Sequence, residues 1–487
     1  MNLTFPVFSL ILLTWVLSPW TNPGPGDDDR QIINHIDQYL QAGVPAGLSG
    51  NLLVAKQGQV LLSKGYGLAD RERGLPYTKD TVFTTGSVTK QFTATAILKL
   101  VEQGKLDVSD PLEKFFTGLP PDKQGITIHQ LLTHTSGFTG GIGKGDFDPI
   151  SQEAFFQSAF ASELLHEPGE TYDYSNLGYS ILGRIIELVS GQEYEQFLRE
   201  QLFLPAGMQQ TGYLLQDWDS DPVAKGYFQG VVPLGSLKGR YQKAGQVYWP
   251  LKANGGIDST LEDMFRWYEA LKLHKVLSPA MTKVLTTAYV PENEEGSSHY
   301  AYGWAIFTSL RNTKIVSHNG SNGVHFFDFI WFPEEDVLVL WATNSVTRHT
   351  QVAWPVARML FDTNYQPPPI RRAASADILE FLTQRGPGQL HRQEAFLKQK
   401  FPAEMGRPTY LNWLGYMALN VLKKPDWAVA IYELNTRYHP GEGKLWHSLG
   451  GGYLAQNRRE EAISAYRKAV DLGNQPSNQI LEGLIKR

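Results

Sequence analysis

The sequence predicts an α+β protein: a mostly antiparallel sheet flanked by helices, with an all-helical region inserted between the strands, then an all-α segment. Three observations carry this. Strand patterns sit at both ends of residues 26–364, with helical periodicities between them. The late strands are short apolar or aromatic runs separated by Gly, Pro and acidic turns. Beyond residue 364 the strand patterns stop and a helical texture with an internal repeat begins.

Taken in order, the chain opens on "LTFPVFSLILLTWVLSPW", an apolar run, followed by the breaker-rich "TNPGPGDDD". Residues 1–25 read as a signal peptide cleaved between Pro19 and Pro25, or as an N-terminal anchor if left uncleaved. No Lys or Arg precedes the run, and the absence of cysteine excludes a lipoprotein. "RQIINHIDQYLQ" has helical spacing, and "LSGNLLVAKQGQVLLSKGYGLAD" alternates about a Lys-Gln-Gly-Gln turn, the signature of a hairpin. Helices are expected over Val88–Glu102, Ile128–Leu132, Gln152–Leu165, Asn176–Val189, Glu193–Leu202 and Thr260–Leu271. Strands are expected in "AYGWAIF", "KIVSHNG", "GVHFFDFIWF" and "VLVLWATN". Residues 365–390, opening on "QPPPIRRAASA", read as a linker and connecting helix.

Residues 391–487 read as a helical domain. "WHSLGGGYLAQNRREEAISAYRKAVDLGN" places Trp446, Leu449, Gly450, Tyr453, Ala462, Tyr466 and Ala469 in the tetratricopeptide pattern, where small residues let two helices approach and large ones fill the gap. The frame recurs 34 residues earlier at Asn412, Gly415, Leu419, Ala428 and Tyr432. Two repeats result, about 409–442 and 443–476, and helices within Ala373–Lys400 complete the stack. The alternative is a plain pair of helical hairpins with no ligand.

Composition excludes several function classes. With 487 residues, 42% hydrophobic and 19% charged, the chain can bury a sizeable core. The 44 Lys+Arg against 49 Asp+Glu give a net charge of −5 and no electrostatic argument for nucleic acid. Without cysteine there is no disulfide, thiolate zinc site or cysteine nucleophile. The twelve histidines form no H-x-x-x-H pair with a carboxylate, so no metal and no cofactor is expected.

Chemistry concentrates in three stretches. In "TTGSVTKQFTATAILKL", Ser87 and Lys90 share a helical face at a helix N-terminus, where free N–H groups favour negative charge. The remainder of that helix is apolar. Burial drives a lysine toward its neutral form, which accepts a serine proton. The competing reading makes Ser87 a helix cap and lets Lys90 snorkel to solvent. "EPGETYDYSNLGYSILGRIIELVSG" sets Tyr174-Ser175-Asn176 before an amphipathic helix, and "KIVSHNGSNGVHFF" sets His318-Asn319-Gly320 at a strand end. Helix caps and an Asn-Gly turn explain these singly, but the three motifs occur in one order and each at an element terminus.

Together these motifs resemble the serine β-lactamase and penicillin-binding-protein superfamily, with Tyr174-x-Asn176 as in the class C β-lactamases and their esterase and D-aminopeptidase relatives. "GITIHQLLTHTSGF" is similar to the same branch, and the resemblance covers roughly residues 30–360. It implies the β-lactamase/transpeptidase fold for residues 26–364 and a serine hydrolase, which the N-terminal apolar run makes an exported one, periplasmic or extracellular. It also implies that Ser87 is acylated, that Lys90 and Tyr174 share the proton work, and that Asn176 orients substrate and tethers Lys90. The N–H groups of Ser87 and Ser321 would form the oxyanion hole, with Gly320 allowing close approach.

One position departs from the pattern. His318 stands where β-lactamases carry a lysine that holds a substrate carboxylate, and histidine is mostly neutral at pH 7. The implied substrate is therefore an ester or a D-amino-acid peptide rather than a penicillin. D-Ala-D-Ala carboxypeptidase or weak β-lactamase activity on peptidoglycan-type substrates is the alternative. A binding or scaffold protein, holding a protein partner through the repeats, is the alternative from another class. His134 is expected to be hydrogen-bonded within the fold. Tyr172, Tyr302, Trp304 and Phe326 are expected to be core, with pocket lining as the other reading.

Overall fold

The computed structural model describes residues 26–216, 218, 222–345, 347 and 350–486. The expected signal peptide or anchor at residues 1–25 lies outside the described residues. Among the described residues, no helix is long and apolar enough to cross a membrane.

The expected hairpin forms from strands β1 (Gly50–Lys56) and β2 (Gln59–Tyr66). Gln57 and Gly58 turn it with φ of 52° and 73°, the left-handed pair that matches strand twist. Six later strands complete one sheet: β3 (Val290–Pro291), β4 (Ser298–Tyr300), β5 (Ala305–Thr308), β6 (Lys314–Ser321), β7 (Phe326–Phe332) and β8 (Val337–Thr343). The order is β2-β1-β8-β7-β6-β5-β4-β3, antiparallel throughout. The first and last strands of the sequence thus pair with each other inside the sheet, Gly50 opposite Thr343 and Lys56 opposite Val337.

Both faces of the sheet are covered, which is why its strands read as continuous apolar runs. Leu53, Phe327, Phe329, Leu338 and Leu340 face the helices Thr89–Glu102, Asn176–Ser190 and Leu261–Lys272. Leu52, Val54, Ile330, Val339 and Trp341 face the helices Asp27–Gly43 and Ala353–Phe361. Two expectations shift. "AYGWAIF" pairs only from Ala305, because Ala301–Trp304 make a turn closed by the Ala301 N–H on the Trp304 carbonyl at 2.7 Å. The Gln152 helix ends at Ala161 rather than Leu165, since Ser162 takes an extended backbone.

The C-terminal region is all helical, over Ala374–Arg385, Glu394–Lys400, Pro408–Asn420, Pro425–Tyr438, Gly443–Ala455, Arg459–Asp471 and Pro476–Ile485. Close helix approach rests on glycine: a Cβ at Gly415 would sit 2.4 Å from the Tyr432 ring, and one at Gly450 would sit 2.9 Å from the Tyr466 ring.

This region shares its core with a hairpin, Gly226–Phe228 and Val232–Gly235, that strand patterning did not reveal. Phe228 is buried against the helices with Val231, Val232 and Leu234, its ring 6.2 Å from that of Trp413. Ser375 donates to Gln229 at 2.7 Å. Deleting Arg372–Arg487 is therefore expected to expose Phe228, whose full burial is worth roughly 1.5–3 kcal/mol, and to uncover further the partly buried Val231, Val232 and Leu234. The truncated chain should melt lower or aggregate. A monodisperse truncation with an unchanged melting midpoint would show that the hairpin does not depend on the helices.

Candidate active site

Ser87 lies in a tight 3₁₀ turn, Gly86–Val88, that opens the buried helix Thr89–Glu102. The turn is braced from behind: the Thr85 N–H and hydroxyl both donate to the Ile257 carbonyl at 2.8 Å, and the Ile257 N–H donates to the Thr89 hydroxyl at 3.2 Å. No side chain caps the turn or the helix, so the cap reading of Ser87 falls away.

The snorkelling reading of Lys90 falls with it. Lys90 is fully buried, and its Nζ donates to Asn176 Oδ1 at 2.7 Å and to the Asn254 carbonyl at 2.6 Å. Its Nζ also lies 4.8 Å from the Tyr174 ring centre. Burial holds its pKa well below the usual lysine range, against a smaller opposing pull from Asp146. Asn254 was not singled out in the sequence, because it acts through its backbone. The Asn254-Gly255-Gly256 turn is the only local signal.

The Tyr174 hydroxyl faces the Ser87 side chain across the cavity. Burial raises the phenol's pKa, and the neighbouring Ser87 side chain partly offsets the rise. His134 clamps this tyrosine from three directions. Its carbonyl accepts the Asp173 N–H at 2.8 Å, its Nδ1 accepts the Ser175 N–H at 3.0 Å, and its ring lies 4.2 Å from the Tyr174 ring. It does so with a left-handed backbone, φ 59°. The histidine is hydrogen-bonded within the fold, as expected, and its partners are the N–H groups of Asp173 and Ser175, the residues on either side of Tyr174. Ser175 caps the next helix through the Gly178 N–H at 3.0 Å, which puts Asn176 at the helix start beside Lys90.

Strand β6 passes directly over the serine turn. A Cβ at Gly320 would fall 1.9 Å from the Thr85 carbonyl oxygen and 2.7 Å from the Ser87 nitrogen. A Cβ at Gly86 would fall 2.7 Å from the Ser321 nitrogen. Glycine on both sides of this contact brings the backbone nitrogens of Ser87 and Ser321 close together. His318 donates from Nδ1 to the Asn319 carbonyl at 2.6 Å and accepts the Tyr300 hydroxyl at Nε2, 3.0 Å away. Burial, then the nearby Lys90, lowers its pKa to about 3.

These residues surround one cavity of about 370 Å³ that includes Ser87, Tyr174, His318, Asn319 and Ser321. Six lining residues were not singled out in the sequence: Glu292, Tyr300, Ala305, Phe307, Ser317 and Trp354. The first four sit on or beside the short strands β3, β4 and β5, Ser317 lies on β6 next to His318, and Trp354 comes from a helix on the far face of the sheet. Tyr302, Trp304 and Phe326 are buried in the core. Tyr172 instead reaches Glu292, donating to it at 2.9 Å.

A family model described as Beta-lactamase matches residues 32–360. Penicillin-binding protein 4* of Bacillus subtilis is 31% identical over 285 residues, which span 56% of this chain and 62% of that protein. Protein flp of Staphylococcus aureus is 31% identical over 315 residues, 61% of this chain and 59% of that protein. The chain thus spans less than two thirds of these relatives. Among solved structures, the octameric penicillin-binding protein homologue from Pyrococcus abyssi superposes with a TM-score of 0.59 at 28% identity, over 74% of this chain and 82% of that chain. The D-amino acid amidase from Ochrobactrum anthropi shares the fold, with a TM-score of 0.56 at 23% identity over 68% and 97% of the two chains. The family match runs over well more than half of the residues, and the chain belongs to the Beta-lactamase family.

Proposed function

We propose that this protein is an exported serine acyl hydrolase of the class C branch that cleaves an ester or amide through an acyl-enzyme on Ser87. The observation that carries the reading is the surroundings of Lys90, fully buried and held by two acceptors. A neutral amine has two N–H donors and one lone pair. Asn176 Oδ1 and the Asn254 carbonyl take both donors. Burial favours the neutral form, and the remaining lone pair is then available for the serine proton.

In this mechanism the Ser87 oxygen attacks the carbonyl carbon while its proton passes to the Lys90–Tyr174 pair. The same pair protonates the leaving group and later takes a proton from the water that releases the acyl group. The N–H groups of Ser87 and Ser321 receive the oxyanion. Asn176 and Asn319 orient the scissile group. The helical region is a two-repeat tetratricopeptide module that holds a protein partner. Peptidoglycan-type D-Ala-D-Ala peptides remain the second reading, favoured by 31% identity to a penicillin-binding protein.

The test is intact-mass spectrometry after brief exposure to p-nitrophenyl acetate. A single acetyl adduct that peptide mapping places on Ser87 supports the reading. An adduct elsewhere, or none on a folded chain, favours a non-catalytic binding protein.

His134 gives a second check on the Tyr174 role. His134→Phe keeps a ring against Tyr174 but loses the acceptor for the Ser175 N–H. Misplacing the phenol should lower kcat about 10²-fold with KM little changed, as ångström-scale misplacement of reacting groups does. A parallel rise in KM would instead indicate general damage to the cavity.

A further inference from the structure

Among the described residues, Glu292 is the one carboxylate that lines the catalytic cavity. It stands just past strand β3, its N–H bound to the Ser298 carbonyl at 2.9 Å. Its two carboxylate oxygens accept the hydroxyls of Tyr172 and Ser298. Both donors are neutral. Among the described residues no lysine, arginine or histidine pairs with it, and none of the described cavity-lining residues is a lysine or arginine. Each oxygen of a carboxylate accepts more than one hydrogen bond, so two hydroxyls leave capacity unused. Tyr172 in turn packs its ring 5.9 Å from that of His134, which fixes the carboxylate relative to Tyr174.

The rest of the cavity narrows the ligand. His318 is held neutral between Asn319 and Tyr300, so it offers no fixed cation to a substrate carboxylate. Phe307, Trp354 and Ala305 supply an apolar wall. A cavity with one unpaired anion and an apolar wall suits a cation on an apolar body. It disfavours an anionic substrate, which would meet Glu292 without compensation.

We infer that the substrates of this enzyme carry a free ammonium group, as esters or amides of an apolar amino acid do, and that Glu292 is the residue that selects them. The inference rests on the serine hydrolase reading above. No covalent step beyond that reading is involved. Glu292 binds and positions, and the ammonium keeps its protons throughout.

The test separates the two ideas by measuring binding rather than turnover. The full chain carrying Ser87→Ala is titrated by calorimetry at pH 7 with three probes: phenylalanine amide in both D and L forms, 3-phenylpropanamide, which lacks the amine, and N-succinylphenylalanine, which is anionic. One or both enantiomers of the amine should bind about 10- to 100-fold tighter than 3-phenylpropanamide, the range for a hydrogen-bonded charged group. The anion should bind weakest. Adding Glu292→Gln should bring the amine and desamino probes to within about threefold, and salt should erode the wild-type preference. Equal affinities, no detectable binding, tighter binding of the anion, or a preference that survives Glu292→Gln would each overturn the inference. Acetylation of Ser87 in the earlier experiment decides the hydrolase reading independently of this result.

Discussion

Ser87→Ala is expected to abolish the acyl-enzyme and to lower ester turnover by about 10⁴-fold or more, the scale seen when a serine nucleophile is removed. The fold should survive. Ser87 caps no helix, and its turn is held by Thr85, Ile257 and Thr89 rather than by its own hydroxyl. A partly exposed Ser→Ala change away from such features costs within about 0.5 kcal/mol. The measurement is a paired one, burst kinetics with an activated ester beside a thermal melt. Residual full turnover would place the nucleophile elsewhere, whereas a collapsed melt would mean that the serine also supports the turn. Lys90 remains in the variant, and any slow adduct that persists should map there.

Gly320→Ala should be nearly as damaging, by a different route. Its new methyl would overlap the Thr85 carbonyl and crowd the Ser87 nitrogen, both of them backbone. Neither can rotate away, so strand β6 and the serine turn must part. Separation of the Ser87 and Ser321 nitrogens removes oxyanion stabilisation, and losing one such donor costs about 10²–10³ in kcat. Stability should fall as well, since β6 is hydrogen-bonded on both sides, to β5 and β7. Ser321→Ala is the control, because it keeps the backbone N–H and the strand position. If Gly320→Ala and Ser321→Ala reduce kcat equally, the backbone contact is not what matters. If Gly320→Ala is active and stable, the close approach of β6 to the turn is not required.

The legible parts of this protein share a physical cause. The β1–β2 hairpin was readable because Gln57-Gly58 tolerates a left-handed backbone and the flanks alternate. The strands β6 to β8 were readable as apolar runs because helices bury both faces of the sheet. The edge strand β3 and its neighbour β4, two and three residues long, carry too few side chains for a period-two pattern. Glu292 was invisible for the same reason. In sequence it is one acid in "PENEEG", and only the pairing of Ser298–Tyr300 with Val290–Pro291 places it in the cavity.

Local spacing also separated Ser87 and Lys90 from the background of ordinary helix residues, since positions three apart must share a face. Spacing left two readings open, and burial closed one of them. A lysine that snorkels and a lysine that is neutral and tethered look identical over five residues. They differ in what lies 86 and 164 residues further on, at Asn176 and Asn254. The sequence by itself determined the order of the motifs, the chemical identity of the side chains proposed to react and the faces on which the helices present them. The tertiary structure alone decided which backbone carbonyl accepts the hydrogen bond from Lys90, how closely β6 approaches the serine turn and which carboxylate faces the cavity. Those depend on long-range contacts that leave no mark on local periodicity.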